Sequence, residues 1–289
     1  MASESTTWIP HHVLVAPEGA APRAWVLFLH GILGSGANWR TIARKLVSAR
    51  PDWGAVLVDL RMHGRSQEAA PPHDLAAVAG DLERLAADLD RRGMPVAGVI
   101  GHSFGGKSAL AYRGRAPAGL LETWVLDASP SIREEEPPRP EGDPGDGAIE
   151  VLRMLAALPG QFSNRDEFLA SVTARGFSRP LAEWLAMNLV ADGGAYRMRL
   201  DLGAVGELMA DYGRQDLWPV VESTDLPGAL RFVVAGRSSA VTTDDRARLE
   251  PLAASGRVSL HVLPDAGHWL HLDAAGELLR LFTDELVEP

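Results

Sequence analysis

The chain has 289 residues, 46% of them hydrophobic, and a formal net charge of −10. That length and apolar content suit one globular α/β domain with an insertion, and the charge argues against a general nucleic-acid or acidic-membrane partner. The absence of cysteine excludes disulfides, thiolate metal sites and cysteine catalysis, and fits a reducing, cytoplasmic compartment.

Taken in chain order, Met1 to Trp8 shows neither a basic n-region nor an apolar h-region, so no secretory signal is expected. No apolar run is long enough to span a bilayer. Trp8 to Ala16 reads as an antiparallel edge strand. Ala24 to His30 is a continuous apolar strand, followed by the glycine-rich stretch Gly31 to Gly36. Trp53 to Asp59 is the next strand, and it runs into Asp59-Leu-Arg-Met-His-Gly-Arg-Ser66. An Asp at a strand end can serve a metal or a ribose. The simpler reading has Asp59 and Arg61 bracing a tight turn around Gly64.

Asp74 to Arg92 carries Leu75, Val78, Leu82, Leu85 and Leu89 at helical spacing. Val96 to Gly101 is a strand, and an alanine-rich helix is expected over Lys107 to Ala116. Leu120 to Asp127, Leu230 to Gly236 and Val258 to Leu263 complete the strands. Thr243 to Ala254 and Ala274 to Val287 read as helices. Such near-continuous apolar strands imply a mostly parallel sheet buried on both faces by helices.

The alternation breaks between residues 131 and 224. Glu134 to Gly147 is a Pro/Gly/acid-rich linker that cannot be a helix interior. Helices are then expected over Ala148 to Leu158, Arg165 to Arg175, Pro180 to Val190 and Leu202 to Tyr212. Residues 1–130 and 225–289 would form the core, with 131–224 as a helical lid over the carboxyl ends of the strands, where open α/β sheets bind ligands. Leu152, Leu155, Phe162, Phe168, Phe177, Trp184, Leu185 and Met187 either line an acyl pocket there or form the lid's own core.

The chemistry centres on Gly101-His-Ser-Phe-Gly-Gly106, placed between a buried strand and a helix. This is the context of a nucleophile elbow, with Ser103 on the turn and glycines where a side chain would collide. A serine hydroxyl needs a base. His268, on the loop between the last strand and the last helix, is the best placed of the nine histidines. His102 and His30 read as structural, and His271 as a packing residue. An acid must orient the base. Asp127 ends the strand beside the nucleophile strand. In the loop after Leu230–Gly236 the nearest equivalents are Ser238 and Ser239, with Asp244 and Asp245 further on, opening a helix. Asp127 is the preferred acid, Asp244 and Asp245 are the alternatives, and Ser239 is expected to hydrogen-bond His268 or Asp127. The backbone N–H groups of Ile32 and Phe104 would form the oxyanion hole. Lys107 is read as an ion-pair partner in preference to a base.

These motifs together resemble the α/β-hydrolase fold superfamily. The stretches His30-Gly-Ile-Leu-Gly-Ser-x-x-Asn-Trp39, Asp59-Leu-Arg-x-His-Gly-x-Ser66, Gly101-His-Ser-Phe-Gly-Gly-Lys107, Leu126-Asp-Ala-Ser-Pro130 and Met187-Asn-Leu-Val190 look like the bacterial YbfF-type esterases and their mitochondrial relatives. The resemblance implies Ser103, Asp127 and His268 as the triad, with Ser239 as a fourth member. It also implies hydrolysis of acyl esters or thioesters without cofactor or metal. The linker 134–147 departs from that pattern. The expected partner is a small-molecule acyl ester or thioester. A lactonase, a cofactor-free perhydrolase of the haloperoxidase type and a non-catalytic ligand-binding protein are the other readings this fold allows.

Overall fold

The structure is a computed structural model that describes residues 8–133 and 147–289. Its main sheet is assembled from β1 (His12–Val15), β2 (Ala24–Leu29), β3 (Trp53–Val58), β4 (Val96–His102), β5 (Glu122–Leu126), β8 (Ala229–Ala235) and β9 (Ser259–Leu263). A separate hairpin pairs β6 (Leu189–Asp192) with β7 (Ala195–Met198). The helices are α1 (Arg40–Ala49), α2 (Leu75–Arg91), α3 (Phe104–Arg113), α4 (Ala148–Ala156), α5 (Arg165–Thr173), α6 (Arg179–Leu185), α7 (Leu202–Arg214), α8 (Trp218–Glu222), α9 (Thr243–Ala254), α10 (Leu270–Asp273) and α11 (Ala275–Glu285).

The sheet order is β1-β3-β2-β4-β5-β8-β9. Only β1 runs antiparallel to its neighbour; every other pair is parallel. Strands β2 and β3 are buried along their whole length, as their unbroken apolar sequences require, and β5 is buried too, with its Glu122 paired to Arg231. On one face Leu27, Leu29 and Val99 pack with Leu82 and Leu85 of α2 and continue into apolar residues of α4 to α7. The other face packs Val26 and Phe28 against Ile42 and Leu46 of α1 and Leu278 and Phe282 of α11. A third cluster joins Val125 and Phe232 to Trp218 and Leu249.

The expected strands all form, with ends shifted by a few residues, and the edge strand shortens to β1. Three features differ from expectation. Residues 40–49 form α1, whose Ile42, Ala43, Leu46 and Val47 carry the helical spacing that signals it. The helix expected to start at Lys107 begins at Phe104, directly after Ser103, because Gly105 and Gly106 let the first turn pack tightly. The helix expected over Pro180 to Val190 stops at Leu185. A short 3-10 turn over Ala186–Asn188 follows, and Leu189 opens the β6–β7 hairpin. Gly193 and Gly194, both at positive φ, make the two-residue turn, so Asp192-Gly193-Gly194 is the sequence signal of that hairpin. Residues 134–146 of the acidic linker lie outside the described residues.

The crossing of α3 over β2 and β4 depends on two glycines. A Cβ at Gly105 would lie 2.6 Å from the carbonyl oxygens of Leu29 and His30, and one at Gly101 would collide with the Gly105 carbonyl. Gly105→Ala should therefore cost about 3 kcal/mol or more of unfolding free energy, the upper range for forced overpacking. Gly206→Ala, in α7 with open space around the position, should instead stabilise by roughly 0.5–1 kcal/mol. Urea unfolding of the two variants beside wild type checks both signs.

Candidate active site

Ser103 sits on the turn between β4 and α3 with φ 54° and ψ −118°, a conformation that non-glycine residues rarely adopt. Its own N–H donates to the Leu126 carbonyl at 2.9 Å. Asp127 follows β5, also at positive φ (45°), and is fully buried. Because β5 lies between β4 and β8, these two residues emerge side by side at one edge of the sheet. His268 reaches the same edge on the loop after β9.

The three side chains form one chain of hydrogen bonds. His268 Nδ1 lies 2.7 Å from Asp127 Oδ2, and His268 Nε2 lies 3.0 Å from Ser103 Oγ. Asp127 Oδ1 accepts the Ala235 N–H at 3.1 Å, so the end of β8 supplies a donor to a buried carboxylate. Two contacts hold the His268 loop. The His102 ring donates from Nε2 to the His268 carbonyl at 2.6 Å, and Asp273 accepts the Gly267 N–H at 2.9 Å. In such an arrangement the carboxylate fixes the imidazole tautomer, and the other ring nitrogen can take the hydroxyl proton.

The loop after β2 packs against Ser103. A Cβ added at Gly31 would lie 3.4 Å from the Ser103 Cβ. The Ile32 and Phe104 N–H groups donate to no acceptor among the described residues. His30 holds this loop by bonding the Gly31 carbonyl through Nδ1 at 2.7 Å and accepting the Leu60 N–H on Nε2 at 3.0 Å. From the segment between β5 and β8, Asn188 donates to the Leu33 carbonyl at 2.9 Å. Asn188 in this positioning role is not apparent from the sequence; its nearest signal is its place within Met187-Asn-Leu-Val190.

Two cavities meet at Ser103 and His268. The smaller, about 50 Å³, is apolar and lined by Ile32, Leu33, Val151, Leu181, Trp184 and Trp269. The larger, about 410 Å³, is of mixed character, bordered by Arg133, Arg237, Ser239 and Asp273 as well as by Phe104, Met209 and Trp269. Trp184 and Trp269 meet edge to face, with centroids 4.8 Å apart. Of the apolar residues considered for an acyl pocket, Trp184 lines the small cavity, whereas Leu155, Phe162, Phe168 and Leu185 are buried in the core.

Several expectations are corrected. Ser239 is exposed and makes no hydrogen bond with His268 or Asp127; its carbonyl accepts from Arg133. The Ala235 N–H fills the place beside Asp127 instead. Asp245 is spent in the capping box of α9 with Thr242, and Asp244 is exposed in the same first turn. Lys107 forms no ion pair among the described residues. It is fully buried and donates to the carbonyls of Ser131 at 2.7 Å and Tyr212 at 2.8 Å. Burial pulls its pKa down to about 8. Asp59 does brace the turn at Gly64, accepting from the N–H groups of Gly36 and Arg65, but Arg61 pairs with Asp81. Among the described residues no group of three or more His, Cys, Asp or Glu is placed to hold a metal ion. Nor is any helix long and apolar enough to cross a membrane.

The sheet order, the elbow at Ser103 and the helix-covered faces define an α/β-hydrolase. A model of the alpha/beta hydrolase family matches residues 26–281, and the chain belongs to that family. Among curated proteins it is 27% identical over 271 residues to the sn-1-specific diacylglycerol lipase ABHD11 of Xenopus tropicalis, covering 91% of this chain and 78% of that protein. It is 26% identical over 258 residues to the esterase YbfF of Escherichia coli (strain K12), covering 88% of this chain and 90% of that one. Among solved structures, a marine microorganism esterase aligns with a TM-score of 0.76 at 21% identity, covering 96% of this chain and 99% of that one.

Four buried histidines surround this site. Burial lowers the pKa of His30 and of His102, where the neighbouring His268 and His271 add to the effect. Burial, with His30 beside it, takes His63 to about 3; burial, with His268 nearby, takes His271 to about 4. The unfolded chain binds these protons near the ordinary histidine value of 6.5, while the folded chain refuses them. Stability therefore rises with pH across the interval from about 4 to 6.5 and is lost as pH falls through it. His271→Phe should flatten that slope by up to about 1.4 kcal/mol per pH unit, read from urea unfolding at pH 5, 6 and 7. An unchanged slope would place the acid sensitivity elsewhere.

Proposed function

We propose that this chain is a cofactor-free serine hydrolase that cleaves carboxylic esters through an acyl-enzyme on Ser103. The observation that carries the reading is the continuous hydrogen-bonded chain Ser103–His268–Asp127. Ser103 Oγ attacks the acyl carbonyl and passes its proton to His268 Nε2. Asp127 holds Nδ1–H and stabilises the imidazolium. The unoccupied N–H groups of Ile32 and Phe104 receive the developing oxyanion, Phe104 at the positive end of α3. His268 then gives its proton to the leaving alcohol. Water, deprotonated by His268, attacks the acyl-enzyme and releases the acid.

In the same reading the segment between β5 and β8 covers the site as a lid. Val151, Leu181 and Trp184 from that segment wall the small cavity, and Asn188 anchors it to the loop bearing Ile32. A cavity of about 50 Å³ holds only about four water-sized spheres, which supports a short acyl group on that side.

Hydrolysis of p-nitrophenyl esters from acetate to palmitate tests the proposal. Wild type should favour the short chains. Ser103→Ala and Asp127→Asn should each lose roughly 10³-fold or more in kcat, the size expected of triad members. Activity retained in Asp127→Asn alone would move the acid to another carboxylate. An inert wild type on every ester would overturn the esterase reading.

A further inference from the structure

A further pocket, of about 280 Å³, abuts the loop after β2 and shares Leu33 with the small cavity at Ser103. Three arginines reach it from separate stretches of chain: Arg40 at the start of α1, Arg65 in the turn after β3, and Arg199 just after β7. The one carboxylate among its lining residues is Asp59. That carboxylate is already engaged, by the N–H groups of Gly36 at 2.8 Å and Arg65 at 2.9 Å and by His11 Nδ1 at 3.1 Å.

Those contacts leave the Asp59 charge in place, so three guanidiniums share the pocket with one carboxylate and the balance within it is positive. Arg40 makes no hydrogen bond or ion pair among the described residues. Arg199 donates to the Gly64 carbonyl at 3.3 Å. Arg65 reaches His11 Nε2 at 3.4 Å. An imidazole contact of this kind supplies no negative charge to Arg65. Elsewhere this chain pairs guanidiniums with acids, as in Arg50–Asp52, Arg61–Asp81 and Arg231–Glu122. Acids are abundant, 38 against 28 lysines and arginines, yet Asp59 alone stands among the residues lining this pocket. Like charges gathered this way repel unless an anion joins them.

We infer that this pocket is a binding site for a phosphate group. Planar guanidinium forks bind phosphate oxygens bidentately, and several arginines around one concavity match a tetrahedral dianion better than a single carboxylate. The volume lies at the small end for ligand pockets, which suits free phosphate or a small phosphate ester. The site is independent of the chemistry proposed at Ser103.

Calorimetric titration with inorganic phosphate and with AMP, at constant ionic strength set by sodium chloride, tests it. Wild type should bind saturably with one equivalent. A double variant, Arg40→Gln with Arg199→Gln, should weaken binding by about a hundredfold, taking about tenfold for each charged hydrogen-bonding partner lost. Arg199→Lys, which keeps the charge and loses the fork, should fall between the two. Melting in chloride alone should be the same for all, showing that the fold is intact. Tighter binding of AMP would assign an organic phosphate, and equal affinity free phosphate. No saturable heat with wild type, or equal affinity in the double variant, would overturn the inference.

Discussion

The left-handed backbone at Ser103 is the constraint on which the rest of the site depends. A serine does not hold φ 54° on its own. It is held there because β4 enters from beneath and α3 leaves at once, so closely that the α-carbons of Gly101 and Gly105 face backbone atoms where a Cβ would collide. Gly106 faces the Ala128 Cβ in the same way, at a spacing of 2.7 Å for an added Cβ. The closeness of helix and strand is therefore paid for in side chains omitted. Its return is a hydroxyl lifted clear of the backbone and an N–H at Phe104 with no acceptor among the described residues.

The same edge of the sheet solves an electrostatic problem. Asp127 is fully buried, and a buried carboxylate is costly unless its oxygens find donors. Parallel pairing of β5 with β8 sets the Ala235 N–H against one oxygen, and His268 takes the other. Around them, burial keeps several further imidazoles neutral. His102 and His30 use their N–H groups on backbone carbonyls, of His268 and of Gly31, so they hold the two loops that converge on Ser103. These histidines act as uncharged hydrogen-bonding struts beneath the one that faces the hydroxyl.

The segment between β5 and β8 is tied to the core by polar contacts as well as by apolar packing. Lys107, one turn into α3, grips the carbonyls of Ser131 and Tyr212 at the two ends of that segment. Its ammonium also lies 4.8 Å from the Tyr212 ring centroid. Asn188 makes a corresponding contact with Leu33. The helix that begins at the elbow and the loop that carries Ile32 are thereby both coupled to the elements that wall the small cavity.

Much of this was legible from residue order. Continuous apolar runs mark strands buried on both faces, and Gly-x-Ser-x-Gly between such a run and a helix marks the turn. Leu-Asp at the end of the next strand and Gly-His after the last one supply the partners, because parallel strands must finish at one edge. Local signals were also present for α1, in its i, i+3, i+4 spacing, and for the β6–β7 hairpin, in Asp192-Gly193-Gly194. What residue order could not decide was which polar group meets which. Ser239 lies in the right loop but turns to solvent, and a backbone N–H at Ala235 takes the place beside Asp127. Lys107 finds carbonyls where a carboxylate was expected, and Arg61 goes to Asp81, leaving Asp59 to the turn. Which segments are buried as strands or as helix faces depends on the chain's own apolar runs and periodicity, so the sequence alone determines it. A hydrogen bond between residues a hundred positions apart depends on loop paths and a few tenths of an ångström, so only the tertiary structure decides it.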